Sequence, residues 1–255
     1  MVNVTPDSFS DGDPDPGAAI EHGLALLADG ADLLDVGGEA TNPRARPVGA
    51  DEELARVLPV VTELARHARV SIDTTKAEVA RAAIRAGATI VNDVSGGLFD
   101  PAMRDAIAQV TYICGHLRGR SLTEVFREES RPVAWQEVAA ELAERIATLP
   151  AGADVWVDPG LGFGKGGDPT TNEQLVLHAG DLGRALGGRP VVVGPSRKRY
   201  LRRRLIEGGI GDPTEADLDR ATVEACVAAA RAGANVLRVH NVALLRAGLI
   251  AYTKL

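Results

Sequence analysis

The sequence predicts an α/β protein built as a single (β/α)8 TIM barrel. Short apolar segments rich in β-branched residues alternate eight times with segments of helical periodicity. Polar residues stand where several of these strands end, as they do at the mouth of a barrel enzyme. No linker or low-complexity segment divides residues 1–255, which predicts one domain. A doubly wound open sheet is the alternative, but it rarely contains eight such regular units.

The strands are predicted from short apolar runs that stop at glycine, proline or a polar residue. In order they are Met1–Val4, Leu33–Val36, Val70–Asp73, Thr89–Asn92, Val110–Cys114, Val155–Asp158, Val191–Gly194 and Val236–Val239. A strand normally has about 5–6 residues, so the first strand is expected to be truncated at the N-terminus. Whether residues before Met1 are missing stays open at this point.

A segment of helical periodicity follows each strand. These segments are Pro16–Asp29, Asp51–His67, Lys76–Ala86, Pro101–Ala108, Val133–Thr148, Asn172–Leu186, Leu218–Ala232 and Ala243–Tyr252. Gly-Ala marks four boundaries between a helix and a strand, at Gly30, Gly87, Gly152 and Gly233. Glycine is the favoured helix-ending residue because it adopts a positive φ without steric cost.

Polar side chains recur near the ends of the even strands and of strand three. They are Asp35, Asn92, Asp158 and Arg238, with Asp73 on strand three. Alternate strands of a barrel contribute to one inner layer, so these groups are expected to share a level near the mouth. Any one of them could be a satisfied polar residue at a strand end. Five together in an apolar barrel would be costly to bury without a ligand.

Composition excludes several classes of protein. A net charge of −7 argues against a nucleic-acid binder, and the basic cluster 202–204 is expected to be a solvated face. No apolar run reaches the roughly 18 residues of a membrane span, and the N-terminus lacks signal-peptide features. Cys114 and Cys226 lack metal-type spacing and are expected to be buried, reduced thiols, which fits a cytoplasmic location.

Seven motifs resemble those of the dihydropteroate synthases, a group within the pterin-binding barrel family. They are Asn3–Gly12, Asp35–Glu39, Ile72–Thr74, Asn92–Val94, Asp158–Lys165, Ser196–Lys198 and Arg238–His240, in order along nearly the whole chain. The resemblance implies a transferase of folate biosynthesis, in a family that is a sulfonamide target. Its reaction joins 4-aminobenzoate to 6-hydroxymethyl-7,8-dihydropterin diphosphate and releases pyrophosphate. It also implies that the partners are these small molecules, and that the protein is a homodimer.

The resemblance further implies a role for individual residues. The pterin would be held by Asp73, Asn92, Asp158, Phe163 and Lys198. The diphosphate would be held by Arg238, His240 and Arg44, with Mg²⁺ bound through the side-chain oxygen of Asn3. The aminobenzoate would lie among Phe9, Thr41, Pro43 and Ser196. Carboxylates and an amide oxygen can accept from the donors of a 2-amino-4-oxo pyrimidine edge, and a guanidinium matches diphosphate geometry.

Three departures from the family pattern leave alternatives open. Asn42 stands where the family usually has an arginine, which here comes two places later as Arg44. Gly115 replaces a bulky residue after strand five, and Asn241 replaces a usual aspartate. The alternatives are a non-catalytic pterin-binding relative and a methyltetrahydrofolate-type methyltransferase. The basic residues of the last two motifs favour diphosphate chemistry over methyl transfer.

Overall fold

Eight strands alternate with helices in the computed structural model, which describes residues 1–5, 15–41, 46–127, 132–165 and 168–253. The strands are β1 (Val2–Asn3), β2 (Leu33–Gly37), β3 (Arg69–Asp73), β4 (Ile90–Asp93), β5 (Thr111–Gly115), β6 (Val155–Asp158), β7 (Val192–Val193) and β8 (Val236–Leu237). The helices are α1 (Pro16–Ala28), α2 (Ala50–Leu64), α3 (Ala77–Arg85), α4 (Met103–Ala106), α5 (Leu122–Arg127), α6 (Trp135–Ile146), α7 (Pro169–Leu177), α8 (Ala179–Ala185), α9 (Arg199–Glu207), α10 (Glu215–Arg231) and α11 (Val242–Thr253). Every predicted strand is present.

The strands follow one another around a barrel in sequence order. β1 to β6 form one parallel sheet, and β7 and β8 form a parallel pair. Val157 joins the two groups, because its N–H donates to the carbonyl of Pro190 at 2.9 Å and it bridges to Val191. On the other side, the amino group of Met1 donates to the carbonyl of Val239 at 2.9 Å. The predicted (β/α)8 barrel is confirmed.

The first strand is short, as predicted, and it covers only part of its neighbour. Val2 pairs with Val36 and Asn3 with Gly37, so no described strand pairs with the beginning of β2 on this side. A cavity of about 480 Å³ lies at this end of the barrel, and its lining includes Met1, Leu33, Ile113, Trp156 and Val236. Among the described residues, the barrel floor, opposite the mouth, is therefore incompletely filled, and the cavity also reaches Asp35 and Arg238.

The helical layer differs from prediction in three places: α5 and α9 were not among the predicted segments, and one predicted helix is divided in two. The helix predicted over Asn172–Leu186 is two helices that meet at His178. Gly180 donates its N–H to the carbonyl of Ala232 at 2.7 Å, next to the end of α10, and so cannot continue the helical ladder. The close approach has no room for a side chain, since a Cβ at Gly180 would lie 2.4 Å from that oxygen.

Three other predictions about local structure are confirmed. The helix-ending glycines all have a positive φ, at Gly30 (93°), Gly87 (113°), Gly152 (80°) and Gly233 (98°). Cys114 and Cys226 are buried free thiols, and burial raises the pKa of each to about 12. The basic cluster 202–204 lies exposed on α9. Within the described ranges, no helix has the length and hydropathy required to span a bilayer.

Candidate active site

Arg238 lies at the carboxyl ends of the strands, between two carboxylates. Its Nε donates to Oδ2 of Asp35 and its Nη2 donates to Oδ2 of Asp73. Asn92 donates from Nδ2 to the same Asp35 oxygen at 3.2 Å. Four of the five polar residues expected to share a level are thus joined by direct contacts. Asp35, for which the sequence analysis proposed no ligand role, is the second partner of the arginine.

Negative charge exceeds positive charge at this point of the mouth. Burial raises the pKa of Asp73 to about 7, and the neighbouring Asp35 adds to the rise while Arg238 opposes it. Burial alone would lower the pKa of Arg238, but the two carboxylates raise it above its usual value. Oδ1 of Asp35 is buried without a hydrogen-bond partner among the described residues. The pocket therefore favours a ligand edge that donates hydrogen bonds.

The end of β6 supplies Asp158 and a tight glycine turn. Oδ1 of Asp158 accepts from the N–H of Gly160 at 2.7 Å, and burial raises the pKa of the carboxyl. Gly160 has a φ of +67°, and a Cβ there would lie 1.8 Å from the carbonyl oxygen of His116. Only glycine fits this approach. The turn then closes with the N–H of Phe163 donating to the carbonyl of Gly160 at 3.0 Å.

Lys198 reaches the mouth from a strained turn after β7. Arg197 has a φ of +54°, and its Nε donates to Oδ1 of Asp219 on α10 at 2.8 Å. This anchor orients the next residue, and Nζ of Lys198 lies 4.0 Å from the centre of the Phe163 ring. Burial lowers the pKa of Lys198 to about 8, and Arg238 adds to the fall. The lysine thus stands beside the glycine turn with its charge only partly compensated.

Ser196 and His240 form a second contact across the mouth. Oγ of Ser196 and Nδ1 of His240 are 2.8 Å apart, and the N–H of His240 donates to the same hydroxyl at 3.3 Å. Burial lowers the pKa of His240 to about 3, so the imidazole is neutral near pH 7. It can therefore offer a ligand a hydrogen bond but not a positive charge.

This geometry agrees with the comparisons to known proteins. The sequence pattern of the family described as pterin binding enzymes matches residues 1–240. The chain belongs to the pterin-binding enzyme family. A dihydropteroate synthase of Mycobacterium leprae (strain TN) is 42% identical over 253 residues, which are 95% of this chain and 87% of that protein.

Solved structures of the pterin-binding enzymes superpose closely. Dihydropteroate synthase of Xanthomonas albilineans with 4-aminobenzoic acid has a TM-score of 0.85 and 40% identity, covering 99% of this chain and 90% of that one. The same organism's enzyme in complex with 7,8-dihydropteroate has a TM-score of 0.81 and 38% identity, with the same coverage. The barrel fold is thus supported by relatives as well as by topology.

The other site residues predicted for this pterin-binding enzyme are only partly described. Asn3 is exposed at the end of β1, and Thr41 is half-buried after β2. Phe9, Pro43 and Arg44 lie outside the described residues, as does Asn42. Their roles, and those of the residues placed above, stay predictions. In the described part of the chain, no three His, Cys, Asp or Glu side chains come close enough to hold a metal.

Two departures from the family pattern have structural explanations. A Cβ at Gly115 would lie 2.6 Å from both the carbonyl oxygen of Asp93 and the Cα of Val94, so backbone fills the space of a side chain. Asn241 accepts from the N–H of Leu244 at 3.0 Å and donates from Nδ2 to Asp219 at 3.1 Å. An aspartate at position 241 could make the first contact but not the second.

Sequence reasoning missed a buried cluster behind the glycine turn. Lys165 is 1% exposed and donates to the carbonyl oxygens of Gly160 at 2.9 Å and Phe163 at 3.1 Å. His116 and Glu141 continue the cluster outward. The sequence feature that could have indicated this cluster is a lysine directly after a run of glycines that follows a strand. Such a charge must be either solvated or fully paired.

Proposed function

We propose that this protein is a dihydropteroate synthase. It joins 6-hydroxymethyl-7,8-dihydropterin diphosphate to 4-aminobenzoate, with release of pyrophosphate. The relatives that carry this name cover the chain almost completely. The observation that carries the proposal in the structure is the convergence of Asp73, Asn92, Asp158 and Lys198 on one barrel mouth, around the Arg238 ion pair.

Recognition of the pterin follows from the donors and acceptors of the mouth. The 2-amino group and ring N–H of a pterin need acceptors, which Asp73, Asp158 and the amide oxygen of Asn92 provide. The ring oxygen and nitrogen acceptors need a donor, which Lys198 provides. Phe163 lies beside that lysine and offers an apolar surface to the flat ring. A neutral, planar, donor-rich ligand is therefore the best occupant of this pocket.

The chemical step requires the site to stabilise charge. The C–O bond between the pterin methylene and the diphosphate breaks as the amine forms a C–N bond and then loses a proton. Positive charge that develops on the methylene carbon is stabilised by the acidic side of the mouth. Arg238 and the neutral His240 would donate to the departing pyrophosphate, with Arg44 from the loop after β2. An aromatic amine is neutral at pH 7, so no strong general base is required.

We also propose that Mg²⁺ takes part as an ion carried by the diphosphate. Asn3 is exposed at the mouth and can supply one amide oxygen, while Asp35 and Asp73 are engaged by Arg238. A magnesium ion that keeps waters and substrate oxygens fits such a sparse donor set. When bound, the ion would neutralise charge on the leaving group. Calorimetry should show that pyrophosphate binds the protein more tightly with Mg²⁺ than without it, and Asn3→Ala should reduce that difference. Equal affinity of the wild type for pyrophosphate with and without Mg²⁺ would contradict this.

A pyrophosphate-release assay tests the main proposal against its alternatives. A dihydropteroate synthase releases pyrophosphate from the pterin diphosphate and forms dihydropteroate only with 4-aminobenzoate present. A non-catalytic relative binds pterin and releases nothing. A methyltransferase would ignore the diphosphate and bind a methylated folate instead. The basic residues at the ends of β7 and β8 favour the first outcome.

A cytoplasmic homodimer is the assembly we propose. The last helix, α11, exposes apolar side chains at Leu244, Ile250 and Tyr252, which a second copy could cover. Two buried free thiols fit a reducing compartment. Light scattering after size exclusion should give twice the mass of one chain. Ile250→Glu should shift it toward the monomer, and a wild-type monomer would contradict the proposal.

A further inference from the structure

Lys165 is a buried cation surrounded by acceptors. Besides the carbonyl oxygens of Gly160 and Phe163, its Nζ lies 2.9 Å from Nδ1 of His116 and 3.2 Å from the His116 carbonyl oxygen. Burial lowers the pKa of this lysine, yet a neutral amine would turn a lone pair toward one of these acceptors. The four neighbours therefore suit the ammonium form, whose three protons they share.

A chain of hydrogen bonds through His116 connects Lys165 to the carboxylate of Glu141, which lies nearer the surface. Burial lowers the pKa of His116 to about 3, so its ring is neutral and Nδ1 accepts from the lysine. Nε2 then carries the proton and donates to Oε2 of Glu141 at 2.9 Å. Glu141 also accepts from Nε of Arg118 at 3.0 Å. The hydrogen bond from His116 and those from Arg118 hold the pKa of Glu141 well below its usual range.

The cluster holds the turn that carries the pterin-facing ring. Lys165 bonds the two carbonyl groups at the ends of the turn Gly160–Phe163, and Asn172 accepts from the N–H of Gly162 at 2.7 Å. The Phe163 side chain is 6% exposed and lies under Nζ of Lys198. The position of this aromatic ring thus depends on a lysine on the far side of the backbone.

We propose that Lys165 is a positioning residue for pterin binding, acting through the Gly160–Phe163 turn on Phe163 and Lys198. Lys165 acts on a ligand only through its neighbours, because it is 1% exposed and its Nζ is enclosed by His116 and the carbonyl oxygens of Gly160 and Phe163. The inference rests on the proposed function in that the ligand is a pterin. Its specific content is that one buried ammonium sets pterin affinity with little effect on the second substrate, whose predicted contacts (Phe9, Thr41, Pro43 and Ser196) do not include the turn.

Lys165→Met is the decisive variant, because methionine has nearly the same length and no donor. Titration with 6-hydroxymethylpterin should show a dissociation constant raised by about tenfold or more, the effect of losing hydrogen bonds to a charged group. The KM for the pterin diphosphate should rise with it. The KM for 4-aminobenzoate should stay within about twofold, since a positioning effect is local to one substrate.

Leu64→Ala is the matched control for lost stability. Leu64 is buried at the end of α2, where it packs against Gly23 of α1, and it does not line the floor cavity. It should lower the melting temperature and leave both KM values unchanged. If Lys165→Met lowers the melting temperature but binds pterin as wild type does, the positioning role is wrong and the lysine is only structural.

Phe163→Leu tests the path of the effect. If Lys165 acts through the ring, the double variant Lys165→Met/Phe163→Leu should bind pterin about as well as the weaker single variant. Additive losses would overturn this path.

Should Lys165→Met fail to fold, Glu141→Gln answers the same question. It removes the carboxylate that balances the lysine and should raise the pterin dissociation constant while leaving the KM for 4-aminobenzoate unchanged. Unchanged pterin affinity would again overturn the inference. Failure of the wild type to bind 6-hydroxymethylpterin is a different result, because it would overturn the proposed function itself.

Discussion

At the scale of single residues, Asp158 combines two tasks. Its Oδ1 fixes the turn through Gly160, and its charge lies near Arg238 and Lys198. Asp158→Asn keeps the shape but turns half of an acceptor-only group into a donor that faces the donors of a pterin. Leaving buried polar groups unpaired costs about 1–3 kcal/mol, so pterin affinity should fall roughly 10- to 100-fold.

Calorimetric titration of a pterin checks this expectation for Asp158. Asp212→Asn provides a control, because Asp212 is 97% exposed and remote from the turn. Equal affinities of wild type and Asp158→Asn would remove this carboxylate from the pterin site.

The acidic and basic groups of the mouth should also give pterin binding a narrow pH optimum. As the pH falls through about 7, Asp73 gains a proton and loses its strength as an acceptor. As the pH rises through about 8, Lys198 loses its charge. Affinity measured across this range should be highest between the two values. In the Lys198→Arg variant, affinity should no longer fall as the pH rises above about 8, because arginine keeps its proton there. A fall that persists in this variant would come from the titration of another group.

At the scale of elements, the residue that precedes α11 makes two side-chain contacts. Asn241 caps the helix through Leu244 and also donates to Asp219, which already accepts from Arg197. Asn241→Asp, the residue usual in the family, would bring two carboxylates together. We expect a loss of about 1–3 kcal/mol in the free energy of unfolding at pH 7, measured by urea denaturation, and a smaller loss at low pH.

Asn241→Ser separates the two contacts of that residue. Serine can cap a helix but brings no second carboxylate, so it should cost less than aspartate at pH 7. A greater loss with serine than with aspartate would mean that repulsion from Asp219 is absent.

Elements were predictable where the signal is local. Apolar runs and helix-ending glycines located all eight strands, because side-chain burial and a positive φ depend on a few adjacent residues. The split at His178 was not predictable, since it follows from a hydrogen bond between Gly180 and Ala232 on a distant helix. The same limit applies to Gly115, whose missing side chain is explained only by the backbone of the neighbouring strand.

At the scale of the whole molecule, the incompletely filled floor should limit stability. Ser71 lines the floor cavity, and its Oγ is buried with no hydrogen-bond partner in the described part of the chain. Ser71→Val removes that hydroxyl and adds apolar volume. The free energy of unfolding should rise by about 1 kcal/mol, which is the lower end of the cost of an unpaired buried polar group. This corresponds to an increase of roughly 2–4 °C in the melting temperature.

Ser71→Thr is the control for the floor, because it adds a methyl group and keeps the hydroxyl. The melting temperature of Ser71→Val should be higher than that of Ser71→Thr. The reverse order would mean that the Ser71 hydroxyl is satisfied in solution.

The sequence could predict which polar residues meet at the mouth, but not how they pair. Strand periodicity placed Asp73, Asn92, Asp158 and Arg238 there; in the structure Asn92 and Arg238 both contact Asp35, and Arg238 also contacts Asp73. That the arginine spans Asp35 and Asp73, 203 and 165 residues away, has no local signal. The place of Lys165 after a run of glycines indicated that it is either solvated or paired, but not with which groups, because its partners are mostly backbone oxygens that no sequence motif displays.

The ion pairs of Arg238 have a consequence for inhibitors. A planar guanidinium already faces the carboxylate of Asp73, and the 2-amino and N–H edge of a pterin presents a similar fork of donors. If the pterin edge binds Asp73 as proposed, it replaces the arginine there, and the net affinity is the difference between two similar contacts. An inhibitor that places its own cation against Asp35 and Asp73 would have to displace the Arg238 side chain, which is always present because it is part of the protein. An inhibitor that leaves Arg238 in place and binds Asp158 would not have to displace it.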